Sequence, residues 1–446
     1  MTSDLVVPES AVREAAGQRD LPSLGMIEQI WETDPLTGTA LEQRARAAVG
    51  ELDLSDVPDG GEVALAVGSR GIGDIVPITA AVVDELRDRG YEPFVFPAMG
   101  IHGGATAGGQ VEQLAAVGVT EAAIDCEIRS TMSVVEVGRT EDRDVPAVAD
   151  EHAASADAIV PINRIKPHTD FDGAVESGLS KMLVIGMGKQ RGAKIAHEWA
   201  VDWSLRNMIP AITEILLAEL PVVGGVAILE DQRDQTASID GIPPAGFLDR
   251  ERELLERAYA EMPTLPFEEL DVLVLDQQGK EISGQGMDTN VIGRRPFAIN
   301  EPEPESPDIK RIYLRSLTEA THGNAMGMGS ADFVHADVAA AVDATPTLIN
   351  AITASTVRGV RLPPVLETDR AALIAALATV GVVEPDTLRL IRATDTMHLQ
   401  RLYASPTLVA EAREREDLRV LRDPEPIAFE GGNFVAPAPT EWVSKR

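Results

Sequence analysis

Three short segments constrain the fold most. Glu62 to Val67 is an apolar run of strand length, Pro77 to Arg89 carries apolar residues at helical spacing, and Pro93 to Pro97 is a second short apolar run. Strand, helix and strand in alternation imply an α/β architecture. The alternation continues through a strand at Ala158 to Ile162, a helix from Arg191 into Trp199, a helix over Leu205 to Leu220 and a strand near Val222 to Leu229. Phe247 to Met262 reads as one long charged helix. Pro263, Pro266 and two acids then lead into the apolar strand Asp271 to Leu275, and a domain boundary is expected there.

The second half repeats the style. It has a strand at Ile312 to Arg315, helical stretches over Asp337 to Thr353 (broken around Pro346) and Arg370 to Val380, and a strand at Leu388 to Ile391. Glu301 to Pro307 reads as an exposed loop and Phe429 to Pro439 as an irregular or extended tail. No internal repeat is evident. A chain of 446 residues exceeds what one hydrophobic core usually supports. The expectation is two α/β domains, residues 1–265 and a smaller unit 266–446, with the active site in the cleft between them.

Composition excludes several partners. The 72 acids outnumber 39 basic residues, and the net charge of −33 repels nucleic acid and anionic membranes. Only seven of the basic residues are Lys, and the acids are spread throughout, a pattern that suits a salt-rich, halophilic cytoplasm. An ordinary acidic protein is the alternative. No run of about eighteen apolar residues appears, so no membrane span is expected. The first residues carry neither a basic region nor a long apolar stretch, so the expected location is cytoplasmic. The single cysteine, Cys126, rules out an intrachain disulfide and a multi-thiolate metal site. Any protein-held metal therefore relies on His, Asp or Glu, and there are seven His.

Candidate chemistry collects in the loops after strands. The first strand runs into Gly68-Ser69-Arg70-Gly71-Ile72-Gly73-Asp74, where free backbone N–H groups before a helix can hold an anion and Arg70 adds a cation. A tight strand-to-helix turn is the plainer reading. Val76 occupies the third glycine position of a dinucleotide fingerprint, and no P-loop motif occurs. His102 lies in the Gly-rich loop after the next strand, a place where α/β active sites gather.

The segment from Arg164 to Lys189 is richest: Lys166-Pro167-His168, then Glu176-Ser177-Gly178-Leu179-Ser180-Lys181, then Gly186-Met187-Gly188-Lys189. Four of the seven Lys fall between residues 166 and 194, a cluster that solvation does not explain in a chain sparing of Lys. Lysine can form a covalent amide or thioamide with a cofactor, or contact phosphate as a compact cation. Lys166, Lys189 and Lys194 read equally as phosphate contacts or salt bridges. His197 follows Lys181 by 16 residues, and a connecting turn can bring the two together. Taken alone, His197 reads either as a core histidine or as a ligand. In the second half, Gln277 and Lys280 sit in a polar loop at a strand end, where Lys280 either reaches across a cleft or decorates the surface. His322 either helps bind ligand or stabilises a turn. His152, His335 and His398 read as structural or solvated, the last two at helix starts.

With His102, Lys166-Pro167-His168, Lys181, His197, Gln277 and Lys280 in this order and spacing, the chain resembles the lactate racemase family that uses a nickel-pincer nucleotide, over residues 60–285. The resemblance implies residues 1–265 as the catalytic and cofactor-binding domain, and a C-terminal domain contributing substrate-binding loops. The implied cofactor is the pyridinium-3-thioamide-5-thiocarboxylic acid mononucleotide with nickel. Lys181 would carry it, His197 would complete the metal's coordination, and Arg70, Gly71 and Gly73 would contact it. His102 and His168 match the catalytic pair, and Arg70, Gln277 and Lys280 match residues that orient substrate. The implied partners are a small 2-hydroxy acid and the enzymes that make the cofactor. Val67 stands where an Asp usually precedes the loop arginine by three residues, and Lys181 lies 13 residues after His168, further than in lactate-specific members. The expected substrate is accordingly a bulkier 2-hydroxy acid or a sugar acid. The alternatives are a dehydrogenase using exchangeable NAD, disfavoured by the missing fingerprint, and a non-catalytic nucleotide- or metabolite-binding protein.

Overall fold

Alternate residues of the strand Glu62–Val67 serve different cores, the pattern expected of a sheet covered on both faces. Val63, Leu65 and Val67 pack with Ile78, Val82 and Leu86 of the helix Ile75–Asp88. Ala64 and Ala66 face Met208, Ile209, Ile212 and Leu216 of the helix Leu205–Glu219. The computed structural model describes residues 5–17, 19–68, 72–295, 301–384 and 386–443. The chain is α/β throughout and divides into two compact units, Thr33–Met262 and a second made of Met1–Glu32 with Pro263–Arg446.

In the unit Thr33–Met262 a five-stranded sheet runs in the spatial order Glu92–Pro97, Glu62–Val67, Ala158–Arg164, Gly225–Glu230, Thr236–Ile242. The first four strands are parallel and the last is antiparallel. Strand order therefore reverses between Glu62–Val67 and Ala158–Arg164. Ligands in open α/β sheets bind outside the carboxyl ends of the strands at such a reversal.

In the other unit a nine-stranded sheet is built around Glu269–Leu275, flanked by the parallel strands Asp308–Leu314 and Leu390–Ala393. The chain moves outward on one side through Phe333–His335 and Val365–Leu366 before returning to Leu390–Ala393 on the other, which makes a second reversal.

The division after Met262 falls close to the expected boundary, but the first 32 residues belong with the second unit. Their strand Ser23–Gln29 pairs antiparallel with Arg401–Ala404 and Leu418–Pro426, a long-range pairing that local periodicity does not encode. Two further readings need correction. Pro346 sits in the first turn of the helix Ala344–Thr353, where its missing N–H costs nothing, and the break lies before it, after Ala341. The expected irregular tail contains a hairpin, Phe429–Glu430 with Asn433–Phe434, turned by Gly431 and Gly432 in left-handed backbone. Among the described residues no helix is long and apolar enough to cross a membrane.

Candidate active site

At the carboxyl edge of the five-stranded sheet, the strand Ala158–Arg164 runs into a closed loop. Lys166 and Ser177 bond through both backbone groups, at 2.8 and 3.2 Å, and pinch off the residues between them. Inside the loop the buried Glu176 carboxyl accepts the N–H of His168 at 2.6 Å and of Gly173 at 3.0 Å, and the Tyr259 hydroxyl at 3.0 Å. Burial pushes the Glu176 carboxyl up to about 7, against the pull of these donors. His168 is buried, 4.6 Å from the Phe171 ring centroid to centroid. Its Nδ1 accepts the Asp170 N–H at 2.9 Å. A neutral ring held this way carries its proton on Nε2 and presents a donor there.

The chain then enters the short helical turn Leu179–Lys181, followed by one π turn, Met182–Gly186, and the helix Lys189–Trp203. Glu251, fully buried on the helix Phe247–Glu261, accepts the Ser180 N–H at 3.0 Å and the Ser180 hydroxyl at 2.5 Å. It thereby satisfies an N–H at the start of the turn that carries Lys181. Burial pushes Glu251 also up to about 7. π turns recur at functional positions, because the extra residue re-aims the side chains around it.

Lys181 and His197 come together. Burial lowers the His197 pKa, the charge of Asp170 opposes that shift, and the charge of Lys181 adds to it. The neutral imidazole that results is the form that ligates a metal. Among the described residues no group of three or more His, Cys, Asp or Glu could hold a metal ion by itself. A single neutral histidine beside a lysine suits a metal that arrives with most of its donors on a tethered cofactor.

The His102 loop joins the same edge. Gly100, in left-handed backbone, donates its N–H to Gly186 O of the π turn at 3.1 Å, and a side chain at Gly186 would meet Ala98 O at 2.5 Å. Lys189, with no exposed surface, pairs with the equally buried Asp150 at 3.1 Å. It also donates to Pro97 O and to Gln110 Oε1, and Gln110 in turn holds Gly100 O at 2.8 Å. Lys189 is thus a buried brace of the His102 loop. Lys194 is an exposed partner of Glu198. Beside His102 an open hollow of about 360 Å³ is lined by His102, Gly103, Gly104, Gly109, Glu112 and Gln113.

In the first loop, Arg70 and Gly71 lie outside the described residues. Gly73 does not offer the free N–H expected of an anion cradle. It donates to Glu230 Oε1 at 2.7 Å, and Glu230 also pairs with Arg164. Burial raises the Glu230 pKa while Arg164 and the Gly73 N–H pull it down.

Gln277 and Lys280 follow Glu269–Leu275 in the other unit. Gln277 Nε2 donates to Asp395 Oδ2 at 3.0 Å, and Lys280 Nζ donates to Gly284 O at 2.6 Å within its own loop. His322 is exposed, in left-handed backbone closing a short turn. His335 caps the helix Ala336–Ala341 through Nδ1. His398 starts no helix, as its surroundings form a turn organised by Asp395.

No family model and no curated protein matches this sequence. Solved structures do. A protein from Thermotoga maritima aligns with TM-score 0.48 and 14% identity over 81% of this chain and 89% of its own. The lactate racemase apoprotein from Thermoanaerobacterium thermosaccharolyticum aligns with TM-score 0.43 and 12% identity over 84% of this chain and 89% of its own. At these scores the likeness identifies no activity.

Glu176, Glu251, Glu230 and Asp150, the carboxyls that set the loops, escape a motif search. Glu251 did leave a signal. It falls on the apolar stripe of its helix with Phe247, Leu254, Leu255 and Ala258, where an acid needs a buried partner.

Proposed function

We propose that this protein is a racemase or epimerase of a 2-hydroxy acid that works with a nickel-pincer nucleotide tethered to Lys181. The observation that carries the reading is the juxtaposition of Lys181 with a neutral, half-buried His197 at the sheet edge that also holds the His102 and His168 loops. Lys181 would carry the nucleotide and His197 would ligate its nickel. The chemistry this group supplies when bound is acceptance of the carbon-2 hydrogen as hydride, which avoids a carbanion at a carbon of very low acidity.

The chain's own residues handle the proton. A neutral His168 presents Nε2–H and donates to the substrate oxygen, leaving His102 to accept the hydroxyl proton. The two histidines are therefore unequal at rest, and exchange roles only when His168 takes up a second proton and gives up the Asp170 N–H. Arg70, Gln277 and Lys280 would orient the substrate, holding carbon 2 so that either face can be reduced without release.

The test is nickel content and intact mass of protein produced with the cofactor-biosynthesis enzymes, together with carbon-2 deuterium exchange on a panel of hydroxy acids. The reading expects one nucleotide adduct at Lys181, stoichiometric nickel and exchange of one or more acids. An unmodified Lys181 with no exchange overturns it.

A further inference from the structure

Asp395 follows the strand Leu390–Ala393 at the order reversal of the nine-stranded sheet, across from Gln277, whose backbone N–H donates to Thr394 O at 2.9 Å. The Asp395 side chain has no exposed surface. Its Oδ1 accepts the N–H groups of Met397 and His398, each at 2.9 Å, and both oxygens lie 2.9 Å from His398 Nδ1. Its Oδ2 also accepts Gln277 Nε2 at 3.0 Å. Burial opposes ionisation of this carboxyl, but His398 and Gln277 together hold it below its ordinary value.

An ionised carboxylate only accepts, so His398 Nδ1 carries the proton and Nε2 of the neutral ring is an acceptor. Gln277, committed to Asp395 through its nitrogen, has its carbonyl Oε1 as the remaining acceptor. The His398 side chain is 52% exposed. One buried carboxylate thus fixes two acceptor arms at a strand end where ligands bind. A turn alone would account for the Met397 and His398 N–H bonds, but not for the capture of Gln277.

We propose that Asp395, His398 and Gln277 form a hydroxyl-binding subsite that selects 2-hydroxy acids bearing further hydroxyl groups beyond carbon 2. The inference rests on the racemase reading only in taking Gln277 as a substrate contact. Two acceptors repel a carboxylate and match O–H donors, so the substrate's carboxylate is left to the cations Arg70 and Lys280. A methyl group in the same place leaves both acceptors unmatched, the kind of difference on which a hydrogen-bonding pocket discriminates.

The experiment has two arms. In the first, the full-length protein without its cofactor, labelled with ¹⁵N-histidine, is titrated with lactate, glycerate and a six-carbon aldonate. The expected result is an Nδ1–H tautomer at His398, whose Nε2 resonance moves with glycerate and the aldonate but not with lactate. Both features should be lost in Asp395→Asn. In the second, the loaded enzyme and its His398→Phe variant, a change at a half-exposed position that leaves the fold intact, are compared by carbon-2 exchange. The variant should lose on the order of tenfold in kcat/KM for the hydroxylated acids per hydrogen bond removed, and nothing for lactate.

A His398 resonance that no hydroxylated acid moves, or that lactate moves equally, overturns the subsite. So does a His398→Phe variant with unchanged kcat and KM on a hydroxylated substrate, a result that leaves the racemase standing. A His398 resonance that responds selectively while no acid exchanges at carbon 2 retains the subsite and removes the racemase.

Discussion

Ser180 and Glu251 meet through two hydrogen bonds, from the serine N–H at 3.0 Å and its hydroxyl at 2.5 Å, deep beneath the turn that carries Lys181. The carboxyl is raised from 4.5 to about 7, as is that of Glu176 under the His168 loop. Both groups bind a proton more tightly folded than unfolded. Their contribution is fully present below pH 4.5 and is lost as pH rises through 7, up to about 3 kcal/mol each. Glu251→Gln keeps a neutral acceptor for Ser180 and should flatten this dependence. Urea unfolding at pH 5 and pH 8 should show a smaller difference in the variant than in the parent.

Removing the ammonium of Lys189 leaves Asp150 charged and buried. Lys189→Met is expected to cost about 3–5 kcal/mol, and adding Asp150→Asn should recover part of that loss. Amide exchange in residues 97–110 should rise in the single variant, since Lys189 and Gln110 hold that loop from below. Denaturant midpoints that are additive across the two changes would contradict the coupling.

Two glycines in the same unit should respond with opposite sign. A Cβ at Gly178 would stand 2.1 Å from Glu251 Oε1, so Gly178→Ala should destabilise by about 1–3 kcal/mol and disturb the Lys181 turn. Gly108, within the helix Ala107–Ala116 and with open space around its Cβ position, should gain about 0.5–1 kcal/mol as alanine. Thermal melts of both variants decide the matter.

His102→Asn and His168→Asn should each lower kcat about 10²–10⁴-fold while retaining nickel and the Lys181 adduct. His197→Ala should lose nickel but keep Lys181 available. Metal analysis beside intact mass separates the two classes. Loss of the adduct in the His102 variant would argue against a proton-transfer role for that residue.

A net charge of −33 stores self-repulsion that counter-ions relieve. The melting temperature should therefore climb as KCl is raised from a dilute buffer to molar concentration. A flat response would remove the salt-rich reading of the composition.

Much of this molecule is written in local pattern. The strand Glu62–Val67 and the helices Leu205–Glu219 and Phe247–Glu261 are set by apolar spacing over a few turns, and the structure places them within a residue or two of that spacing. The placement of His102 and His168 in strand-end loops was legible for the same reason: short apolar runs end at glycine or proline, and the residues after them lie at the sheet edge. Charge, scarcity of Lys and the lone cysteine likewise needed no coordinates.

Tertiary structure alone decided the rest, because each remaining feature is a meeting of residues far apart in the chain. Ser23–Gln29 crosses to the second unit through pairing with Arg401–Ala404, which no local period records. Gly73 gives its N–H to Glu230, 157 positions away, and so stops being an anion donor. Lys189 turns from a possible phosphate contact into a buried brace once Asp150 is found against it, and His398 acquires an oriented ring from Asp395 and a neighbour in Gln277. Sequence supplies the residue types and their order along the edge. Burial and the partner across the fold determine which of them carries a proton, and on which atom.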